Sequence, residues 1–218
     1  MSGADTHPAT PGVDAEARIR IVLADDQALV RGGLAALLSM EPDIEVVAEV
    51  GRGDELDAAV ARHLPHVCIV DIEMPGGDGI TATGRIRRAH PEVRVLIVTT
   101  FGRPGYVSRA LESGAGGFVV KDTPAGELAE AVRRVHAGEK VIDPELVRDS
   151  MVAGPDRLTP REKDVLRQAL TGARVAAIAA TLHLSQGTVR NHLSSAIAKT
   201  HTSTRGEAAR EAHLRGWL

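Results

Sequence analysis

Three aspartates, two threonines and one lysine stand where they can share one site. Asp25 and Asp26 follow the apolar run Ile19–Ala24, and Asp71 follows Val67–Val70. Thr99 and Thr100 close the run 93–98, and Lys121 follows Gly117–Val120. Carboxylates gathered at one rim repel one another unless a cation lies among them. An oxygen-rich set without cysteine suits a hard divalent ion, Mg2+ before others. A lysine and a hydroxyl beside it suit a phosphoryl group: the lysine as a point charge, the threonine as a hydrogen-bond donor. Taken singly these residues are ordinary. An Asp pair after a strand serves as a turn or cap, and a lone lysine as a solvated charge. Only a shared edge gives them meaning.

The alternation of elements predicts that shared edge. Short β-branched runs at Ile19–Ala24, 45–49, Val67–Val70, 93–98 and Gly117–Val120 alternate with helical patterns at 27–39, 54–63, 79–89, 105–113 and 125–137. The expectation is an α/β domain over 18–138. Its five-stranded parallel sheet is doubly wound and flavodoxin-like, with the site outside the carboxyl ends of the strands. Residues 1–17, rich in Pro, Gly, Ala, Thr and Asp, read as a disordered tail. Residues 139–156, with Pro144, Gly154 and Pro155, read as a linker. From there to residue 218 strand signals stop. Helical patterns fall at about 160–170, 175–181, 186–199 and 204–214, with Thr159-Pro160 and Ser185 as helix starts.

Composition narrows the function classes. Phe101, Tyr106, Phe118 and Trp217 are the only aromatic residues, so the core must be aliphatic. Surfaces that stack single-stranded bases on aromatic platforms are thereby disfavoured. Cys68, the sole cysteine, excludes an intramolecular disulfide and a cysteine-based zinc site. Neither a signal-peptide pattern nor a membrane-length apolar run is visible, so a soluble, cytoplasmic protein is expected. The net charge of −3 argues at first against a nucleic-acid binder. Splitting the chain reverses that inference. Residues 157–218 hold ten Lys/Arg against four Asp/Glu, a net of +6, while the other 16 basic and 25 acidic residues net −9. A basic unit is joined to an acidic one.

The motif set Asp25-Asp26, Val70-Asp71-Ile72-Glu73-Met74-Pro75, Gly79, Thr99 and Gly117-Phe118-Val119-Val120-Lys121 resembles a two-component receiver domain of the CheY-like fold. The resemblance runs through 19–138 and implies roles by position. Asp71 would accept a phosphoryl group from a phosphohistidine on a sensor histidine kinase. Asp26, Asp71 and the Glu73 backbone carbonyl would bind Mg2+, and Asp25 would hold one of its waters. Lys121 would pair with carboxylate or phosphoryl oxygens. Thr99, favoured over Thr100 by the family register, would swing toward the phosphoryl group, and Phe118 would fill the space it leaves. Phe101, two beyond Thr99, is expected either to slow phosphoryl loss or to pack against the next loop. The loop Phe101-Gly102-Arg103-Pro104-Gly105-Tyr106 resembles regulators of the DesR type, which implies a response to membrane lipid state.

The second unit resembles a four-helix LuxR-type helix-turn-helix of the NarL/FixJ group. The matching residues are Leu158-Thr159-Pro160-Arg161-Glu162, Val165-Leu166, Gly172, Ile178-Ala179, Leu182, Leu184-Ser185 and Thr188-Val189-Arg190-Asn191-His192. The helix beginning near Ser185 would enter the major groove of double-stranded DNA. Val189, Leu193 and Ile197 should face the core, leaving Thr188, Arg190, Asn191 and Ser194 outward, with Lys199 a further DNA contact. Arg190 suits guanine edges or phosphate, and Asn191 suits adenine edges. The family implies a homodimer formed on phosphorylation, reading a two-fold site. The competing enzyme class, an aspartyl-phosphate phosphohydrolase of the haloacid-dehalogenase kind, places an Asp-x-Asp pair after its first strand. Here the first strand ends in adjacent aspartates, and the candidate nucleophile follows the third. Opposite charges on the two halves further predict an attraction that covers the recognition helix.

Overall fold

The structure, a computed structural model, describes residues 18–100, 102–144, 146–148 and 155–218. The tail 1–17 and Phe101 lie outside these residues. Strands β1 (Ile19–Ala24), β2 (Ile44–Val50), β3 (Val67–Val70), β4 (Arg94–Thr99), β5 (Gly117–Val120) and β6 (Val141–Ile142) form one parallel sheet in the order β2-β1-β3-β4-β5-β6. The order turns back at β1, the switch point where an open α/β sheet places its ligand.

Helices α1 (Ala28–Ser39) and α5 (Ala125–His136) cover one face of the sheet. Helices α2 (Gly53–His63), α3 (Gly79–Ala89) and α4 (Pro104–Glu112) cover the other. Each face has its own aliphatic core. Val22, Leu56, Cys68, Val70, Ile86 and Ile97 fill one, while Ile21, Leu23, Leu38, Leu96 and Val132 fill the other. Covering on both faces is why β3 reads as four consecutive buried residues rather than an alternation. Cys68 is fully buried, and desolvation pushes its thiol up to about 12, so it behaves as a small hydrophobe.

The sheet has six strands, not the five expected. β6 falls inside the stretch expected to be linker. It is only two residues long, too short for a periodic signal, and it forms because backbone groups pair at the sheet edge. Gly138, with φ +90, turns the chain after α5, Val141 N donates to Gly116 O (3.1 Å), and Val141 pairs with Gly117.

The second unit contains, among the described residues, α6 (Pro160–Leu170), α7 (Val175–Leu182), α8 (Gln186–Thr200) and α9 (Arg205–Leu214). Its separate core joins Leu158, Val165, Leu166, Ile178, Val189, Leu193, Ala208, Ala212 and Trp217. Thr159 and Glu162 close a capping box at the start of α6, and Thr204 with Glu207 closes another at α9. The second box makes Thr204 the N-cap, so the helix starts one residue later than its apolar pattern suggests. Alanines line α9 where it meets its neighbours. Small side chains let it approach α6 and α8 closely.

Gly79 fixes how closely α3 approaches the end of β3. A Cβ there would lie 1.9 Å from the Asp71 carbonyl oxygen, and the Gly79 N–H donates to Ile72 O at 2.9 Å. Gly79→Ala must therefore push the helix and the Asp71 segment apart. The expected outcome is a loss of about 1–3 kcal/mol in chemical denaturation. Gly126→Ala, at an α5 position open to space, should show no such loss.

Candidate functional site

Register brings the site residues to one edge. Ala24 lies beside Val70, Val70 beside Ile97, and Thr99 beside Val120. The residues after β1 and β3 continue the ladder, with Asp25 N donating to Val50 O (3.1 Å) and Asp71 N to Ala24 O (2.8 Å). Lys121 N donates to Thr99 O (2.8 Å), so the lysine leaves the sheet at the same level. The predicted edge is present, and it carries Asp25, Asp26, Asp71, Thr99 and Lys121 together.

Within it, Lys121 is the hub. Its Nζ lies 2.7 Å from Asp25 Oδ2 and 2.9 Å from Asp71 Oδ2. Asp71 Oδ1 accepts from Ile72 N at 2.7 Å, and Asp25 Oδ1 from Gln27 N at 2.9 Å. Asp25 and Asp71 are buried, whereas Asp26 is exposed. Burial pushes the Asp71 carboxyl above the usual carboxylate range, Lys121 pulls it back, and Asp25 adds to the rise. Desolvation draws the Lys121 ammonium down, but hydrogen bonds to Asp25 and Asp71 outweigh it and hold its pKa up. One lysine for two buried carboxylates leaves the edge short of positive charge.

The donor set fits a hard cation. Carboxylate oxygens of Asp25, Asp26 and Asp71 lie within 4.8 Å of one another, two from buried residues and one from the exposed rim. Thr99 is buried at the end of β4 and Thr100 is exposed, which separates the two hydroxyls that the residues alone left open. Phe118 is fully buried in the core that also holds Tyr106 and Val107. Any response of Phe118 is thus a repacking inside that core. Glu73 follows Asp71 by two residues, and its side chain reaches away to Tyr106 and Arg103.

In the second unit, Val189 and Leu193 are buried and Ile197 is half-buried, as the four-residue spacing requires. Arg190, Asn191 and Ser194 are exposed on α8. Thr188 is half-buried, its Oγ1 sharing a 2.8 Å hydrogen bond with the N-cap residue Ser185. Lys199, expected as a DNA contact, also makes an ion pair within the unit. Its ammonium sits on Glu162, 2.9 Å from Oε1 and 2.8 Å from Oε2. Ser195 Oγ donates to the same carboxylate at 2.6 Å. In the sequence Glu162 stands out only as part of the Leu158–Glu162 motif that opens this unit. Its grip on α8 was not visible because the partners lie more than thirty residues away. Among the described residues nothing covers Arg190, Asn191 or Ser194. The two units touch where Arg103, Gly105 and Arg109 meet the end of α9 and the residues after it.

Residues 21–133 match the response regulator receiver domain family, and residues 156–212 match the bacterial regulatory proteins of the luxR family. Among curated proteins, the uncharacterized transcriptional regulatory protein YvfU of Bacillus subtilis is 40% identical over 200 residues, covering 92% of this chain and all of the relative. The transcriptional regulatory protein DesR of Bacillus subtilis is 39% identical over 200 residues, covering 92% of this chain and 99% of the relative. Among solved structures, the response regulator ChrA of a heme-sensing two-component system is 33% identical with a TM-score of 0.56, covering 92% of this chain and 99% of that one. A complex of the two-component response regulator RcsB with DNA is 28% identical with a TM-score of 0.62, covering 90% of this chain and 98% of that one.

Glu162 gives the DNA-side helices a pH signature. Burial opposes its ionisation, but Lys199, Ser195 and Thr159 reverse this and lower its pKa from 4.5 to about 2. A carboxylate depressed on folding stabilises the fold fully above its unfolded pKa. It loses that contribution as pH falls from about 4.5 through about 2. Glu162→Gln is expected to cost about 3 kcal/mol near neutral pH. That difference should shrink as acid is added, read by urea unfolding of both proteins at a series of pH values.

Proposed function

Because the chain belongs to the response regulators that join a receiver to a LuxR-type DNA-binding domain, we propose that it is a transcription factor switched by phosphorylation of Asp71. The relatives are transcriptional regulators, and the chain is a regulator of that kind rather than a phosphohydrolase. The observation that carries the proposal is the convergence of Asp25 and Asp71 on the Lys121 ammonium beside Asp26.

In the proposed reaction an Asp71 carboxylate oxygen forms a bond to phosphorus as the P–N bond of a kinase phosphohistidine breaks, the electron pair leaving on the imidazole nitrogen. Asp26, Asp71 and the Glu73 carbonyl would hold Mg2+, with Asp25 on one of its waters. When bound, this ion supplies charge neutralisation at the phosphoryl oxygens. Ile72 N–H and Lys121 orient the Asp71 carboxylate. Once the acyl phosphate forms, Lys121 can pair with it, and Thr99 lies at the same edge to donate a hydrogen bond.

The acidic unit over 18–138, the linker 139–156 that contributes β6, and the basic unit over 157–218 divide these tasks. Arg190, Asn191 and Ser194 would meet DNA, and Thr188 with the α8 N-terminus would meet phosphate. Lys199 would position α8 through Glu162. Phosphorylation would favour a homodimer. Leu29 and Leu37, exposed on α1, and Met40 at its C-cap would supply an apolar face for pairing. Among the described residues no helix is long and apolar enough to cross a membrane, and a DNA partner supports a cytoplasmic location. The resemblance of the loop at 101–106 to regulators of the DesR type, with the likeness to DesR over 92% of the chain, supports reading the stimulus as membrane lipid state.

A small phosphodonor with Mg2+ should add one phosphoryl group to the wild type, raise its dimer fraction in analytical ultracentrifugation and tighten its DNA binding. Asp71→Asn should show none of these changes. A response retained in that variant removes the switch. Arg190→Ala should weaken DNA binding. A phosphate contact would lower the slope of log affinity against log salt by about one, whereas a guanine contact would relax sequence preference at one position.

A further inference from the structure

The helix α4 and the segment after α9 meet end to end. The chain leaves α9 through Arg215 and turns at Gly216, whose φ is +69. Trp217 then folds back into the core of the DNA-binding domain. A helix end of this kind exposes carbonyl oxygens that have no partner within the helix and carries partial negative charge. At the start of α4 the opposite holds: the first N–H groups lack helical partners and the end is partially positive.

These two ends satisfy each other. Gly105, in the first turn of α4, donates its N–H to Arg215 O at 2.8 Å. Arg103 donates to His213 O at 3.2 Å and lies 3.1 Å from that residue's Nε2. Arg109 donates to Gly216 O and Leu218 O, both at 3.1 Å. Burial and the Arg103 guanidinium hold the His213 pKa down, which keeps the ring neutral and able to accept. The contact also has a steric requirement. A Cβ on Gly105 would lie 2.3 Å from Arg215 O, a backbone atom that cannot swing aside.

Both arginines are held from the other side by the segment just after Asp71. Arg103 Nη2 lies 3.3 Å from Glu73 Oε1, which also accepts from the Tyr106 hydroxyl at 3.2 Å. Arg109 Nη2 donates to Asp78 Oδ2, the N-cap of α3, at 3.1 Å. The Tyr106 ring packs beneath both guanidinium groups, 5.3 and 5.8 Å from its centroid.

We propose that Arg103, Gly105 and Arg109 form an interdomain latch. In it the receiver caps the C-terminal end of α9, and Glu73 keys the grip to the segment that follows Asp71. The latch holds the DNA-binding domain by backbone carbonyls at its C-terminal turn. Its recognition helix therefore stays uncovered while its orientation is fixed. This accounts for the Gly102-Arg103-Pro104-Gly105-Tyr106 loop, whose glycine, arginine and tyrosine the phosphoryl site does not use.

The test measures the distance between spin labels on Ser39→Cys in α1 and Ala198→Cys in α8, both exposed positions, in the full chain. Buried Cys68 stays unlabelled. The otherwise unaltered protein should give one narrow distance. Gly105→Ala and Arg109→Gln should each lose it to a broad distribution, and Glu73→Ala should do so in part, whereas Gly126→Ala should keep it. Circular dichroism identifies a variant that has merely unfolded, and two independent latch variants guard against that case. A broad distribution in the unaltered protein, or a narrow one in both Gly105→Ala and Arg109→Gln, overturns the latch. A narrow one in Glu73→Ala alone overturns its keying to the Asp71 segment.

Discussion

Two buried carboxylates cannot share a sheet edge without a cation between them, and the Lys121 ammonium is that cation. Its hydrogen bonds to Asp25 and Asp71 tie the ends of β1, β3 and β5 together at the switch point of the sheet. The arrangement is balanced only in part: one positive charge faces two buried aspartates, with Asp26 at the rim. A site short of positive charge admits a divalent ion. Held rigidly by strand ends, it also presents its oxygens without further reorganisation. The aliphatic cores on both faces, the close approach at Gly79 and the parallel register all keep those strand ends in place.

The second unit repeats the logic on a smaller scale. Glu162 is buried, yet it is ionised because Lys199, Ser195 and the Thr159 backbone surround it. One carboxylate thus caps α6 and fastens α8 against it. The helix that would meet DNA is set by a polar clamp at its C-terminal half and by Val189 and Leu193 beneath it, which frees Arg190, Asn191 and Ser194 for contact. Charge separation between the units does not lead to recognition-helix burial. Helix ends offer stronger local complementarity than a diffuse difference in net charge, which salt screens.

Much of this was legible in the chain. Aspartates, a threonine and a lysine that each follow or close a strand must meet at one edge of a parallel sheet, and the alternation of strands and helices announces that sheet. The four-residue apolar spacing of Val189, Leu193 and Ile197 in α8 predicts which of its faces is buried. By contrast, β6 left no signal, because two residues cannot express a period and its pairing is made by backbone groups. The Lys199–Glu162 pair left no signal for a related reason: a basic residue on this helix gives no hint of the buried carboxylate that another helix sets beside it.

The sequence by itself determined the division into an acidic α/β unit and a basic helical unit, the aliphatic character of both cores, and the residue types gathered for phosphoryl and DNA chemistry. These follow from local periodicity and composition, which neighbouring residues carry. Tertiary structure alone decided which aspartates are buried, that Lys121 bridges them, that Thr99 rather than Thr100 is buried at the end of β4, and that the start of α4 caps the end of α9. Each depends on atoms brought together across tens of residues, where burial and geometry choose among partners that sequence leaves equivalent.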